Sequence, residues 1–257
     1  MFTRPVLITK LKATGVHLTM SLAVFVYLTY QIYYNWYPEP YFSIDGGWQG
    51  MRLIGAVDLV LGPLITFLIF DLRKKRREIL SDLVIILVIQ LGALAYGVYA
   101  TYTQRPVAVV MIDDFVISAT MEHYGGKLDS ASDLQRYSDE RPPIIYADFP
   151  RTWEGLHEAQ RIKLEEKVLE HAQMRLYRPR SELKIALQQQ QIRVMGLLDK
   201  YEARPSFENW LQQHDKQVDE VYLARFTARY GNVWLVFDLD ASLIGYFYSD
   251  VGGGALF

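Results

Sequence analysis

Cysteine is absent from this 257-residue chain, which excludes disulfides, thiolate nucleophiles and cysteine–zinc sites. Its absence names no compartment, because reducing and oxidising spaces both tolerate it. Neither sign of charge is in large excess: 27 Lys+Arg face 29 Asp+Glu, a formal net charge of −2. A polyanion binder needs a basic face, so no nucleic-acid partner is expected. The glycine loops that cradle phosphates and the G-x-S-x-G elbow are missing, and no internal repeat is visible. His157-Glu158-Ala159-Gln160-Arg161 falls short of the zinc helix H-E-x-x-H, because Arg161 stands where the second ligand belongs and repels a cation. His157 and His171, read as lying on one helix, would be about 21 Å apart and unable to share an ion. His123 and His214 have no ligands beside them in sequence. Asp238 and Asp240 read as solvent-facing alternation rather than paired catalytic carboxylates. No catalytic residue, metal or cofactor is expected.

The average charge hides a split. Residues 1–102 carry 9 Lys+Arg and 6 Asp+Glu, whereas residues 103–257 carry 18 and 23. The first part is mostly apolar. A membrane-crossing helix needs about 20 largely apolar residues for about 30 Å of hydrocarbon, and three stretches qualify: Val16–Trp36, Gly50–Phe70 and Leu83–Tyr102. Lys and Arg collect on the cytoplasmic side. Arg4, Lys10 and Lys12 precede the first span, and Arg73-Lys74-Lys75-Arg76-Arg77 separates the second from the third; the loop 37–49 has Glu39 and Asp45 but no Lys or Arg. The N-terminus and second loop are therefore expected in the cytoplasm, and the first loop and everything after the third span on the far side. Tyr33, Tyr34, Trp36, Tyr37 and Trp48 mark the boundaries as interfacial rings do. A cleaved signal peptide is disfavoured by the length and bulky aromatic exit of the first span.

Asp58 is the most informative residue of these spans. It lies about 12 Å below the far face at about 1.5 Å per residue, where a carboxyl group is costly unless protonated, paired or hydrated. Gly55, Asp58 and Gly62 share one helical face, and glycines there admit a neighbouring helix. Tyr27, Tyr30, Gln31 and Tyr96 are the expected neighbours at that depth. Two readings stand: a hydrogen-bonded pin within the bundle, or a contact for a partner helix or a proton. Pro63 predicts a kink near Leu59–Pro63. Gln90 is a lone amide in the third span, Ala93 and Gly97 form a small-xxx-small pair, and His17 reads as interfacial. Asp45-Gly46-Gly47-Trp48, in the first loop, reads either as a helix-start turn or as a recognition loop.

Beyond the third span, 107–112 and 115–120 are β-rich runs about Asp113-Asp114, a hairpin pattern. A Pro-punctuated polar stretch follows to 150. Helical periodicity covers 152–177, 181–201 and 206–213, and β-rich runs cover about 218–229, 232–239 and 242–248. Strands at both ends with helices between predict one α+β domain whose antiparallel sheet joins the two ends. Gly252–Phe257 reads as a flexible tail. The expected organisation is a transmembrane region, 1–102, and a periplasmic domain, 103–257.

Ile44-Asp45-Gly46-Gly47-Trp48-Gln49-Gly50 and Val57-Asp58-Leu59-Val60-Leu61-Gly62-Pro63-Leu64, followed by Gln90-Leu91-x-Ala93-Leu94-Ala95-Tyr96-Gly97 and Arg105-Pro106-Val107, carry a resemblance. With these motifs the chain resembles the TfpX/TfpZ family of type IV pilin accessory proteins. The match is good over roughly 14–120 and loose beyond, and 122–215 carries no family signature. Gln90, Tyr96, Gly97, Arg105 and Pro106 belong to the shared pattern. The resemblance implies an inner-membrane protein of a Gram-negative bacterium that helps pilus assembly or pilin stability and is paired with a particular major pilin. It supplies no catalytic residue. Pilins themselves place a glutamate five residues past a glycine cleavage site, whereas Gly15 here is followed by Val16-His17-Leu18-Thr19-Met20.

The expected function is thus a chaperone or assembly factor whose membrane stripe, Gly55, Asp58, Gly62 and Pro63, bears on a pilin helix. A sheet edge, or the apolar face of 152–177, would meet the pilin head. The alternatives are a membrane enzyme modifying pilin or envelope lipid, and a membrane-tethered periplasmic sensor. The sensor lacks a cytoplasmic output domain.

Overall fold

A computed structural model describes residues 4–70, 74–113 and 115–249; Arg73, Asp114 and the tail 250–257 lie outside the described residues. The chain divides into two compact units, Met1–Pro38 with Gly47–Tyr102, and Glu39–Gly46 with Thr103–Phe257. The first inter-span loop thus falls with the second unit.

The first unit is helical. α1 (Arg4–Tyr30) continues as a π-helical segment, Gln31–Trp36. After the short α2 (Tyr41–Ile44), which lies in the loop of the second unit, the next rod is α3 (Gly47–Gly55), a π segment (Ala56–Leu61) and α4 (Gly62–Ile69); α5 (Arg76–Thr103) completes the set. Val6–Trp36, Gly47–Ile69 and Arg76–Thr103 are long and apolar enough to cross a membrane. The π segment ends just ahead of Pro63, its last bond running from the Gly62 N–H to the Val57 carbonyl, and Pro63 then falls in the first turn of α4, where its missing N–H is best tolerated. The burial stripe of α1 runs through Lys10, Ser21 and Leu28 and continues to Ile32 in the π segment, the spacing of one helical face.

The second unit is built on a six-stranded sheet in the order β3-β1-β2-β4-β5-β6. β1 (Ala108–Ile112) and β2 (Phe115–Ala119) form the expected hairpin, with Val110 opposite Ile117. β3 (Ile144–Tyr146), β4 (Tyr222–Thr227), β5 (Asn232–Phe237) and β6 (Leu243–Phe247) complete the sheet. The sheet is mixed, which corrects the antiparallel expectation: β1 runs parallel to β3 and β2 parallel to β4. Both parallel pairs are joined by long connections. These give the chain room to return in the same direction, which a tight turn cannot. The β2–β4 pairing joins the two ends of the domain as the sequence suggests.

Three α-helices separate β3 from β4: α6 (Trp153–Glu165), α7 (Arg180–Lys200) and α8 (Arg204–Gln213). Helical periodicity over 152–177 overreaches, because α6 stops at Glu165. Lys167 adopts a positive φ of 60°, which a helix cannot continue through, and two short 3-10 turns, Glu170–Ala172 and Met174–Leu176, follow. Val168, Ala172 and Leu176 instead enter a core with Val110, Tyr124, Leu134 and Ile145. A second core gathers Val194, Leu198, Phe207, Trp210, Leu223, Trp234 and Phe247. Gln191 serves the sheet, accepting the Leu223 N–H at 3.1 Å.

Candidate functional site

Three helices meet at one carboxylate. Asp58, in the π segment, is only 3% exposed. Its Oδ1 accepts from Ser21 Oγ on α1 at 3.0 Å and from Gln90 Nε2 on α5 at 2.7 Å. One oxygen therefore ties all three apolar rods, and Oδ2 has no partner among the described residues. Gly62 makes this possible: a Cβ there would stand 2.5 Å from Gln90 Nε2. A Cβ at Gly55 would stand 3.0 Å from the Phe25 ring, and one at Gly97 3.4 Å from Ile54. Pro63 is buried beside them.

The expected neighbours of Asp58 are replaced. Tyr27, Tyr30 and Tyr96 are exposed, and Gln31 accepts from Asn35. Lys10 Nζ donates to the carbonyls of Phe67 and Leu68 at 3.0 and 2.9 Å, and His17 Nδ1 lies 2.6 Å from Thr66 Oγ1. These contacts set an antiparallel register that brings Ser21, not the tyrosines, opposite Asp58. Lys10 also places a cation at carbonyls ending α4, where the helix dipole favours one. At the other end of the bundle the Tyr37 hydroxyl donates to the Thr101 carbonyl at 2.9 Å.

The loop Glu39–Gly46 is built into the second unit. Asp45 is fully buried, and its Oδ1 accepts the Arg229 N–H at 3.4 Å. The Tyr230 N–H donates to the Ile44 carbonyl at 2.8 Å, and Tyr41 meets Phe226 edge-on at 5.6 Å. Burial pushes the Asp45 carboxyl above its usual range, against the opposing pull of the Ser118 hydroxyl and Arg229. Burial likewise raises the Tyr41 phenol. Gly46 supplies a φ of 116°, available to glycine at no steric cost. Gly47 and the half-buried Trp48 then open α3. Arg229 also donates from its guanidinium to the side chain and carbonyl of Gln104, at 2.6 and 3.1 Å. Arg105 is half-buried and Pro106 buried just ahead of β1.

The residues weighed for catalysis have other occupations. Arg161 pairs with Glu158 and Glu165 along α6. Asp238 accepts the Asp240 and Ser242 N–H groups in a turn, and Asp240 pairs with Lys184. His214 Nδ1 lies 2.8 Å from the Trp210 carbonyl. The placement of His157 and His171 on one helix is corrected. His171 lies beyond the end of α6, its Nε2 2.9 Å from His123 Nδ1. Sequence reading missed this pair because 48 residues separate its members. It missed Arg229, the partner of Asp45, for the same reason. No group of three or more His, Asp or Glu able to hold a metal occurs among the described residues.

The chain thus combines a helical unit pinned by polar side chains with a sheet unit that incorporates an inter-helix loop. The fimbrial assembly protein FimB family matches residues 5–46. The fimbrial assembly protein of serogroups C1 and C2 of Dichelobacter nodosus is 41% identical over 99 residues, 38% of this chain and 76% of that protein. Those of serogroups I and E1 from the same organism are 41% and 40% identical over 99 residues, which span 38% of each. The matched segment thus covers well under half of these last two. No solved structure matches. The chain belongs to the FimB family of fimbrial assembly proteins.

Proposed function

We propose that this chain is an inner-membrane accessory protein of type IV pilus biogenesis that binds or stabilises a cognate major pilin, as the TfpX/TfpZ resemblance implies. In this reading three spans cross the bilayer with the N-terminus and the basic second loop in the cytoplasm, and the second unit works in the periplasm. The observation that carries the reading is the 41% identity over 99 residues to proteins named for fimbrial assembly. The same likeness favours an assembly role over catalysis.

The geometry supports two contacts with a pilin. Gly55, Asp58, Gly62 and Pro63 bear on its membrane helix by fixing the mutual register of the three spans against which that helix lies. On α6, Trp153, Leu156 and Leu164 are exposed at 72%, 39% and 60% and share one helical face. Exposed apolar groups in such a row suit docking of a globular head.

Deleting the gene and scoring pilin abundance and surface pili separately tests the role; normal values of both would defeat it. Photocrosslinkers on exposed positions of the spans and at Trp153 test the contacts. Capture of the major pilin is expected, and capture of unrelated proteins alone would remove the contact assignment.

A further inference from the structure

Two histidines on separate turns of the second unit share one proton acceptor. Met121–Tyr124 is a 3-10 turn closed by a capping box in which the Thr120 N–H donates to His123 Nδ1 at 3.3 Å. The same Nδ1 lies 2.9 Å from His171 Nε2, with the rings edge-on at 89°. Because Nδ1 receives the Thr120 N–H it carries no proton, so the hydrogen-bond pattern assigns the donor to His171 Nε2–H. Beside this contact the Leu169 N–H donates to the His123 carbonyl at 2.9 Å. Behind it the Tyr177 hydroxyl donates to the His171 carbonyl and lies 2.9 Å from the Tyr124 hydroxyl. His123 Nδ1 is thus the titratable member of the contacts that hold the turn Met121–Tyr124 against the turn Glu170–Ala172.

We propose that His123 Nδ1 is a proton-operated latch: protonation there turns a shared acceptor into a donor, breaks its bonds to Thr120 and His171, and frees the two turns from each other in mildly acid medium. Charged groups on neighbouring elements act on the pair. At His123, Arg229 between β4 and β5 opposes the proton and Glu122 on its own turn favours it. At His171, Glu170 on its own turn favours a proton, and Lys163 on α6, 2.7 Å from Glu170, opposes it. Burial opposes it too, holding His123 below the ordinary imidazole range and His171 at about 4. The closed latch thus refuses a proton that the open form accepts, and acid favours opening. The opening reaches further through Arg229. A cationic His123 repels that guanidinium, which holds Gln104 while its N–H holds Asp45.

Hydrogen–deuterium exchange of the full chain in lipid nanodiscs tests the latch. Peptides over 119–125, 168–173 and 226–231 are compared between neutral and mildly acid pH after correction for intrinsic rates. Exchange is expected to rise by up to about tenfold per pH unit below about 6.5 for each proton taken up. His123→Gln keeps a capping acceptor that does not titrate, so it should match the wild type at neutral pH and show an acid response shallower by one proton, the remainder belonging to His171. An unchanged acid response in that variant, or none in the wild type, would overturn the latch. Should the variant misfold, NMR titration of labelled histidines in the wild type decides instead. Depressed, coupled titration of His123 and His171 is expected, and ordinary independent titration of both would overturn it.

Discussion

Among the described residues each unit buries one aspartate, and the two do opposite kinds of work. Asp58 accepts from two side chains carried by two other helices, so its bonds join secondary structure that is already complete. Asp45 accepts from a main-chain N–H 184 residues away, so it joins pieces of chain that have no separate structure to fall back on. In the helical unit each rod satisfies its own backbone, and side chains need only set register. In the sheet unit the backbone itself depends on distant partners.

The comparison can be broken at its strongest point by producing Thr103–Phe257 without residues 39–46. Tyr41 and Ile44 are buried in this unit, and such side chains contribute about 1.5–3 kcal/mol each against total stabilities of about 5–15 kcal/mol. Urea unfolding should show loss of a cooperative transition, or a large drop in its midpoint. A fragment as stable as the full chain would refute the composite domain. Next in size, Asp58→Leu leaves the Ser21 and Gln90 donors unmet at about 1–3 kcal/mol each, and Gly62→Val should approach this by pushing Gln90 away. Both are read from thermal unfolding in nanodiscs, and a loss confined to the second unit would contradict the pin.

Thr152→Ala removes the Oγ1 acceptor of the Gly155 N–H and should cost about 1 kcal/mol, seen as fraying at the start of α6. Asp45→Asn should have the smallest effect, and of opposite sign. Its oxygen still accepts from Arg229, while the buried charge is gone. The folded-state pKa of Asp45 is raised, so the aspartate's relative stability is greatest in acid and falls as pH rises through the folded value. The asparagine should therefore match the aspartate in acid and equal or exceed it at neutral pH, measured as midpoint against pH. A variant less stable only above neutral pH would reverse that sign.

The helical unit was more legible in the sequence than the sheet unit. Long apolar runs located the three rods, although α1 begins at Arg4 rather than Val16, because a helix need not stop where its apolar stretch does. Pro63 signalled a disturbance and the chain answers with a π segment at Ala56–Leu61. Asp58 and Gln90 each stood out as lone polar groups, yet neither pointed to the other, since pairing depends on inter-helix register. In the sheet unit, local alternation gave the hairpin and the three closing strands. The parallel direction of the β1–β3 and β2–β4 pairings, the His123–His171 contact and the docking of Asp45 beside Arg229 were not legible. They join residues far apart in the chain, and nothing in the neighbourhood of either partner encodes the other.

The docking of the loop Glu39–Gly46 also sets an order of events during synthesis. Ribosomes add about 5–20 residues per second, so the 184 residues between Asp45 and Arg229 take about 10–40 s to translate at that pace. Through that interval Tyr41, Ile44 and Asp45 are made but their seat is not. The nascent chain therefore exposes an apolar, half-finished surface until its last strands arrive, and a holdase acting during translation would find its client there.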